Sequence, residues 1–520
     1  MSPSSLATPH PNSDILEMRQ VADALLRFRA AMLEAAVRAA PAIERVHPAH
    51  RTSAANLAHY LGLRHQDLRP LHKPLAMLGL SSLGRTEAAT LASVDAVLRM
   101  LARASGSPAP DPAPAPGPDS LDAGRHLLDE HAARALGHRP ERRAVRIMVT
   151  MPTEAATDPA LIPSLVRAGM NVMRINCAHD GPAHWHAMID RLRAAERDLG
   201  ARCLVAADLG GPKVRIEALA RSGGEALRRV RVRTGDTMLL QRGHPPDRFV
   251  DVGGEKSLKR PSRVWCSIPR ALDAVEAGHR VWFDDGAVAT IAREIAPDHI
   301  ALEVVHAPAE GVRLRAEKGI NLPDTPTDLP ALCEEDYDHL DALVEHVDAI
   351  GLSFAHTPGD VLLLQHAIEA RTQRRPAIVL KIETRAAFER LPEMLFALLR
   401  WEACALMIAR GDLAVECGYE RLSEVQEEIM WLAEAAHVPV IWATQVLESL
   451  AHTGAPTRAE ITDAAMGQRA ECVMLNKGPY IVETIALLDD ILRRMASHQR
   501  KKTPLLRPLK IAAGAPDVVD

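Results

Sequence analysis

The 520-residue sequence predicts an α/β protein: a barrel of eight parallel strands and eight helices, with a β lid inserted into it and an α-helical module before it. Three observations predict this class. Past residue 140, short apolar runs alternate with helical stretches, as in buried parallel sheets. The alternation breaks once, over residues 217–318, for a segment of β texture. The first hundred or so residues are rich in Ala and Leu at helical spacing.

The elements follow in order. Residues 1–104 form the helical module, beginning with DILEMRQVADALLRFRAAMLEAAVRAA, which is free of Gly and Pro until Pro41. Residues 105–118 read SGSPAPDPAPAPGP, and six prolines there exclude a helix or a central strand. Residues 105–119 are therefore expected to be a semi-extended linker. The barrel is assigned to 120–216 and 319–510. Its strands are read in RIMVT (146–150), NVMRIN (171–176), CLVAAD (203–208), VDAIGLSF (347–354), AIVLKIE (377–383), CALMIARGD (404–412), VPVIWATQ (438–445) and ECVMLNK (471–477). The insertion carries RRVRVRTGDTMLL, RVWFDDGAVATIAREI and HIALEVVHA, with Gly and Pro at its turns. Without it the barrel is near the size of a typical TIM (β/α)8 barrel, about 250 residues.

Composition excludes several functions. A formal net charge of −5 from 62 Lys+Arg and 67 Asp+Glu gives no basic surface for nucleic acid or membrane. No apolar run approaches the roughly 18 residues of a membrane span. The opening MSPSSLATPHPN has no apolar signal core. The segment SAANLAHYLGLRHQDLRPLHKPLAMLGL has a helix–turn–helix flavour, but Pro70 and Pro74 would interrupt its second helix. Seven cysteines without CxxC spacing argue against zinc and disulfides and for a reducing, cytoplasmic setting. Of the 62 cationic residues only 10 are Lys, so a lysine inside an apolar run is informative.

Active sites of such barrels lie at the C-terminal strand ends. Those ends carry Arg174, Asn176 and His179; Asp208, Lys213 and Arg215; Lys381 and Glu383; Arg410, Gly411 and Asp412; Thr444 and Gln445; Asn476 and Lys477. Glu383 and Asp412 suit a divalent cation with oxygen ligands, magnesium first and manganese in its place. Arg174, Arg215 and Lys381 around the same mouth suit phosphate. Two acids, a metal and three cations describe phosphoryl transfer.

The motifs AGMNVMRINCAH, AADLGGPKVR, WFDDG, EKGINLPDTPTDLP, LKIET, MIARGDLAVE and IWATQVLESLAHTGAPTRAEITDAA resemble those of the pyruvate kinase family, in order along the C-terminal 370 residues or so. The resemblance implies transfer of a phosphoryl group from phosphoenolpyruvate to ADP, giving pyruvate and ATP in glycolysis. It implies magnesium on Glu383 and Asp412, and Lys381 against the phosphoryl group and the enolate oxygen. Arg174 would contact the transferred phosphate, with Arg215 nearby. Gly411, Asp412 and Thr444 would grip the substrate carboxylate, Thr444 lying at the face of enolate protonation. Pro152 and His179, with Arg215, would lie on the nucleotide side, and a homo-oligomer, dimer or tetramer, is expected.

Departures from the family set further expectations. Asn176 and Asp208 remain from its potassium site, but Ala178 and Leu209 bring no ligand oxygen. Lys213 resembles the lysine of the potassium-independent branch, so potassium is expected not to be required. Asn476, Lys477 and Gly478 replace the usual strand-eight loop, which motivates the alternative of a weak or silent regulatory or scaffold protein. The sequence stops soon after its last barrel helix, so the family's C-terminal effector domain and its mode of activation are not expected.

Overall fold

The structure, a computed structural model, describes residues 11–106, 118–221, 226–246 and 261–505. Most of the expected linker (107–117) and the barrel's expected end (506–510) lie outside these residues, whereas Pro118 already begins a helix, Pro118–Leu136.

Eight parallel strands close into a barrel. In chain order they are Arg146–Thr150, Val172–Asn176, Leu204–Asp208, Ala349–Leu352, Ala377–Ile382, Cys404–Ala409, Val440–Ala443 and Cys472–Leu475. Each falls within one of the expected apolar runs. Neighbours in sequence are neighbours in the barrel, and the first strand pairs with the eighth. Helices pack on the outside, where one large core holds the outward residues, such as Ile378, Leu380 and Ile382 of the fifth strand. The alternate residues Ala377 and Val379 face inward with Met148, Val172, Ala206 and Met407. Ala135 and Leu136, at the end of the helix before the barrel, join this inner core.

A second core fills the insertion, whose main sheet has seven strands. That sheet takes in Ile216–Ala220 at one edge and Ile320–Asn321 at the other, slightly beyond residues 217–318. Within the insertion Lys318 pairs with Asp284 at 2.6 Å, and the Tyr419 hydroxyl of the barrel donates to the Asp285 carbonyl at 3.3 Å, which ties the insertion to the barrel mouth.

Before the barrel come the helices Pro11–Arg45, Arg51–Arg64, Arg69–Met77 and Thr90–Ser105. The expectation that Pro70 and Pro74 would interrupt a helix needs correction. The first helix runs on past Pro41, and Arg69–Met77 is helical despite Pro70 and Pro74. Pro70 lies in the first turn, where backbone N–H groups have no intrahelical acceptor, so only Pro74 removes a bond.

These helices have their own core around Leu25, Leu63, Leu75 and Leu98 and also dock on the barrel. Val46, Ala54, Leu57 and Tyr60 belong to the barrel's outer core. Buried Asn56 donates to the carbonyls of Glu87 and Ala435 and accepts from the Thr90 N–H. Four histidines line the same joint. His50 bonds the Glu402 carbonyl at 2.9 Å, and its ring lies 4.4 Å from that of His131. His437 bridges Ser53 and the Ala88 carbonyl, while His47 donates its backbone N–H to the Leu399 carbonyl.

Burial first, and the neighbouring His131 after it, lower both His50 and His437 to about 4 from an ordinary 6.5. The unfolded chain then binds more protons between these values, so stability is full above 6.5 and is lost as pH falls toward 4. The thermal midpoint should therefore drop by about 5 °C on going from neutral pH to the middle of that window. A His50→Gln/His437→Gln variant should show a flatter profile by calorimetry, and an equal slope in both proteins would remove these histidines as the cause.

Candidate active site

The inward parity of the strands decides which polar residues reach the barrel mouth. In the second strand Val172 faces the inner core, so Arg174 and Asn176 share its side; in the third, Ala206 leads to Asp208. In the fifth, Ala377 and Val379 lead to Lys381, and Glu383 follows. Four charged groups thus converge although each is nearly buried: Arg174 is 7% exposed, Asp208 1%, Lys381 8% and Glu383 3%.

Asp208 is the hub. Its Oδ2 accepts from Arg174 Nε at 2.8 Å, and Lys381 Nζ lies 3.6 Å away. Lys381 also reaches Glu383 Oε1 at 2.9 Å and donates to Ser353 Oγ at 2.7 Å. Arg174 donates a further bond to Thr150 Oγ1 at the end of the first strand. Burial alone would raise the Asp208 pKa, but Arg174 and Lys381 hold it below the usual carboxylate range. Burial likewise works against the Lys381 ammonium, and Glu383 and Asp208 outweigh it and raise the pKa. Gly351 of the fourth strand makes room for this hub, since a Cβ there would meet Asp208 Oδ1 at 2.3 Å.

The seventh-strand loop is strained. Thr444 and Gln445 have φ of +59° and +56°, a region that a β-branched residue rarely enters. Arg410 holds the turn: Nε donates to the Ala443 carbonyl and Nη2 to that of Thr444. Its guanidinium pairs with Asp463 and covers the Trp442 ring at 4.6 Å. Thr444 Oγ1 accordingly sits 2.8 Å from the Gly411 N–H and accepts from it.

Some expected residues lie elsewhere. Lys213 Nζ lies 3.0 and 3.2 Å from the two oxygens of Asp412 and 3.9 Å from Asp285. Its ion pairs are thus with Asp412 and the lid, while Asp208 is taken by Arg174 and Lys381. Asn176 Oδ1 accepts from the Ala178 N–H of its own turn. Arg215 turns toward the base of the lid, where it donates to the Glu317 carbonyl at 3.1 Å. His179 lines a cavity of about 240 Å3 with Arg174, Asn476 and Lys477, whereas Pro152 and Arg215 do not line it. Burial, then Lys477 and Arg215, lower the His179 pKa.

Glu383 directly follows the fifth strand, and Asp412 lies not on the sixth strand, as its apolar run suggested, but in the first turn of the helix Arg410–Cys417 that follows it; the two strands are neighbours, with Ile382 paired to Ile408. Two carboxylates fit magnesium, which commonly takes one or two and fills its shell with water and substrate oxygens. Among the described residues no cluster of three or more His, Cys, Asp or Glu offers a fuller cage.

The family model described as the pyruvate kinase barrel domain matches residues 142–485. The chain belongs to the pyruvate kinase family. It is 32% identical to a pyruvate kinase of Mycobacterium intracellulare, over 68% of this chain and 70% of that one. Identity to a pyruvate kinase of Mycobacterium tuberculosis is 33%, covering 66% and 69%. Identity to the pyruvate kinase PKLR of Rattus norvegicus is 30%, covering 71% of this chain and just under two thirds (65%) of the rat one. The pyruvate kinase match takes in the whole barrel mouth and leaves out the preceding helices and the residues after 485.

Ser353, Gly351 and Thr150 were not singled out from the sequence. A signal was present for each: Thr150 and Ser353 are polar residues closing apolar runs, and Gly351 interrupts one. In Asp208→Asn the cations Arg174 and Lys381 lose their shared anion in a buried setting. The variant should lose about 3 kcal/mol or more of stability. Urea midpoints unchanged from the parent would contradict the hub.

Proposed function

We propose that this member of the pyruvate kinase family transfers a phosphoryl group from phosphoenolpyruvate to ADP, giving pyruvate and ATP, with magnesium and without potassium. The observation that carries this reading is the Lys381 ammonium, held charged between Asp208 and Glu383 at a mouth that also presents Arg174. A fixed, poorly hydrated cation stabilises negative charge that develops in a transition state far better than water does.

In this reading Lys381 faces the transferring phosphoryl group and the enolate oxygen, and Arg174 contacts the phosphate. Glu383 and Asp412 hold the magnesium, which when bound supplies positive charge to the phosphoryl and enolate oxygens. Lys213 now pairs with Asp412, so it must yield some of that contact to the metal. The Gly411 N–H and Thr444 hydroxyl, now bonded to each other, exchange that bond for contacts with the substrate carboxylate. Thr444 stands at the protonation face. The cavity with His179, Asn476 and Lys477 receives nucleotide phosphate. The lid excludes water.

Independence of potassium is supported by two observations. Asp208, the acidic remnant of the family's potassium site, already has two cationic partners, and Ala178 and Leu209 supply no side-chain oxygen.

A coupled assay for pyruvate from phosphoenolpyruvate, ADP and magnesium tests the assignment. Lys381→Met should lose at least about a hundredfold in kcat with folding retained by circular dichroism. A parent no faster than this variant would leave the scaffold reading in its place. Adding potassium to buffer free of monovalent metal ions should change the parent rate little. A rise of more than about tenfold, equivalent to about 1.4 kcal/mol in the barrier, would overturn potassium independence.

A further inference from the structure

At the opposite end of the barrel lies a cavity of about 530 Å3, walled by elements that do not occur together in the pyruvate kinase match. Its walls are the segment before the helix Thr90–Ser105, the helix Pro118–Leu136, the start of the first barrel strand, the turn before the eighth, and the hairpin Gln499–Arg500/Thr503–Pro504.

The charges on these walls do not balance. Lys502 pairs with Glu87, Lys501 with Glu471, Arg500 with Asp129, and Arg125 with Asp122. Arg469 pairs with Glu427 outside the cavity. Three lining arginines remain, Arg85, Arg139 and Arg146, and among the described residues none has a carboxylate within ion-pair distance. Arg146 is the telling one. It is 3% exposed, and among the described residues its guanidinium donates, through Nε and Nη2, only to the Gly137 carbonyl, at 2.9 and 2.7 Å. By contrast Arg143, three residues earlier and 5% exposed, is paired with Asp489. Burial works against the Arg146 charge more than the nearby Glu471 and Asp129 support it, and an anion entering the cavity would offset that cost.

Two further groups bear on what the cavity takes. Gln468 is 6% exposed and lines the cavity, and its Oε1 has no hydrogen-bond partner among the described residues. Glu434, the remaining lining acid, is pushed up to about 7 by burial, so at neutral pH it carries only part of a negative charge.

We propose that this cavity binds a small polyanion, a molecule bearing two or more phosphate or carboxylate groups, with Arg146 at its floor and Arg85 and Arg139 at its mouth. Guanidinium forks match either oxyanion group bidentately. The polar amide of Gln468 meets a hydroxyl, amine or water on the body of the ligand. Bound there, the molecule ties the N-terminal helices and the terminal hairpin to the barrel floor, far from the strand ends that hold the candidate active site.

The test is calorimetric titration of the full chain with inorganic pyrophosphate and, separately, with citrate, in the presence of saturating phosphoenolpyruvate and magnesium to occupy the barrel mouth. One equivalent of at least one probe should bind, and which of the two binds separates phosphate from carboxylate recognition. Arg85→Glu/Arg139→Glu changes two exposed residues and should retain folding and pyruvate formation. It should weaken binding by about tenfold or more, as expected for loss of charge-assisted contacts. Arg146→Met should do the same, and the exposed pair decides the matter if that variant fails to fold. Binding of neither probe, or equal binding by parent and the Arg85/Arg139 variant, would overturn the proposal.

Discussion

The candidate site depends on one constraint: Asp208 carries two cations inside a closed barrel. A carboxylate that is 1% exposed is tolerable only with counter-charges, and Arg174 and Lys381 supply them from the second and fifth strands. The same contacts fix the cations. Arg174 is further held by Thr150, and Lys381 by Ser353 and Glu383. Charge balance and positioning are thus one arrangement, which is why Asp208 and Lys381 remain charged where isolated charges would be expelled or neutralised.

The barrel makes that arrangement possible through its period of two. Both faces of each strand are buried, the outward one under helices and the inward one against other strands. Inward positions are apolar through the middle, with Ala206, Val379 and Met407, and turn polar only at the strand ends. A one-residue slip in the fifth strand would put Lys381 under the helices and Leu380 into the mouth. The apolar residues that set the register of the strand therefore also aim the lysine. Lysine scarcity gains meaning from this placement. Between Ser353, Asp208 and Glu383 a compact ammonium with three rotatable donors meets three acceptors in different directions, which a planar guanidinium does less well.

Much of this was legible. An apolar run ending in polar residues encodes both a buried strand and its functional end, so all eight strands and the convergence of Arg174, Asp208, Lys381 and Glu383 could be read from spacing and period. Lys213 and Arg215 were harder for a physical reason. They follow the third strand on a turn through Gly211, whose φ of +65° redirects the chain into the lid, so strand parity no longer predicts their aim. Arg410 stood out as a strand-end residue, but its positioning role was equally hidden. Its partners are carbonyls of the next strand and Asp463 from a helix some fifty residues on, and none of these contacts has a period. Prolines misled in the opposite direction, because their cost depends on which backbone N–H is removed and not on their number.

The two ends of the barrel obey the same rule with different outcomes. In the first strand Arg146, Met148 and Thr150 share one parity, so a single inward face carries a cation at the floor, an apolar residue in the core and a hydroxyl at the mouth. At the mouth the cation of the neighbouring strand, Arg174, finds Asp208; at the floor the Arg146 guanidinium bonds, among the described residues, to the Gly137 carbonyl alone. The difference follows from what closes each end. The mouth is built from strand ends that all belong to the barrel, and their charges were matched within it. The floor is closed by a helix and a hairpin from outside the barrel, and they bring Asp129 and Arg500 as a pair with each other, so that among the described residues Arg146 has no carboxylate within ion-pair distance.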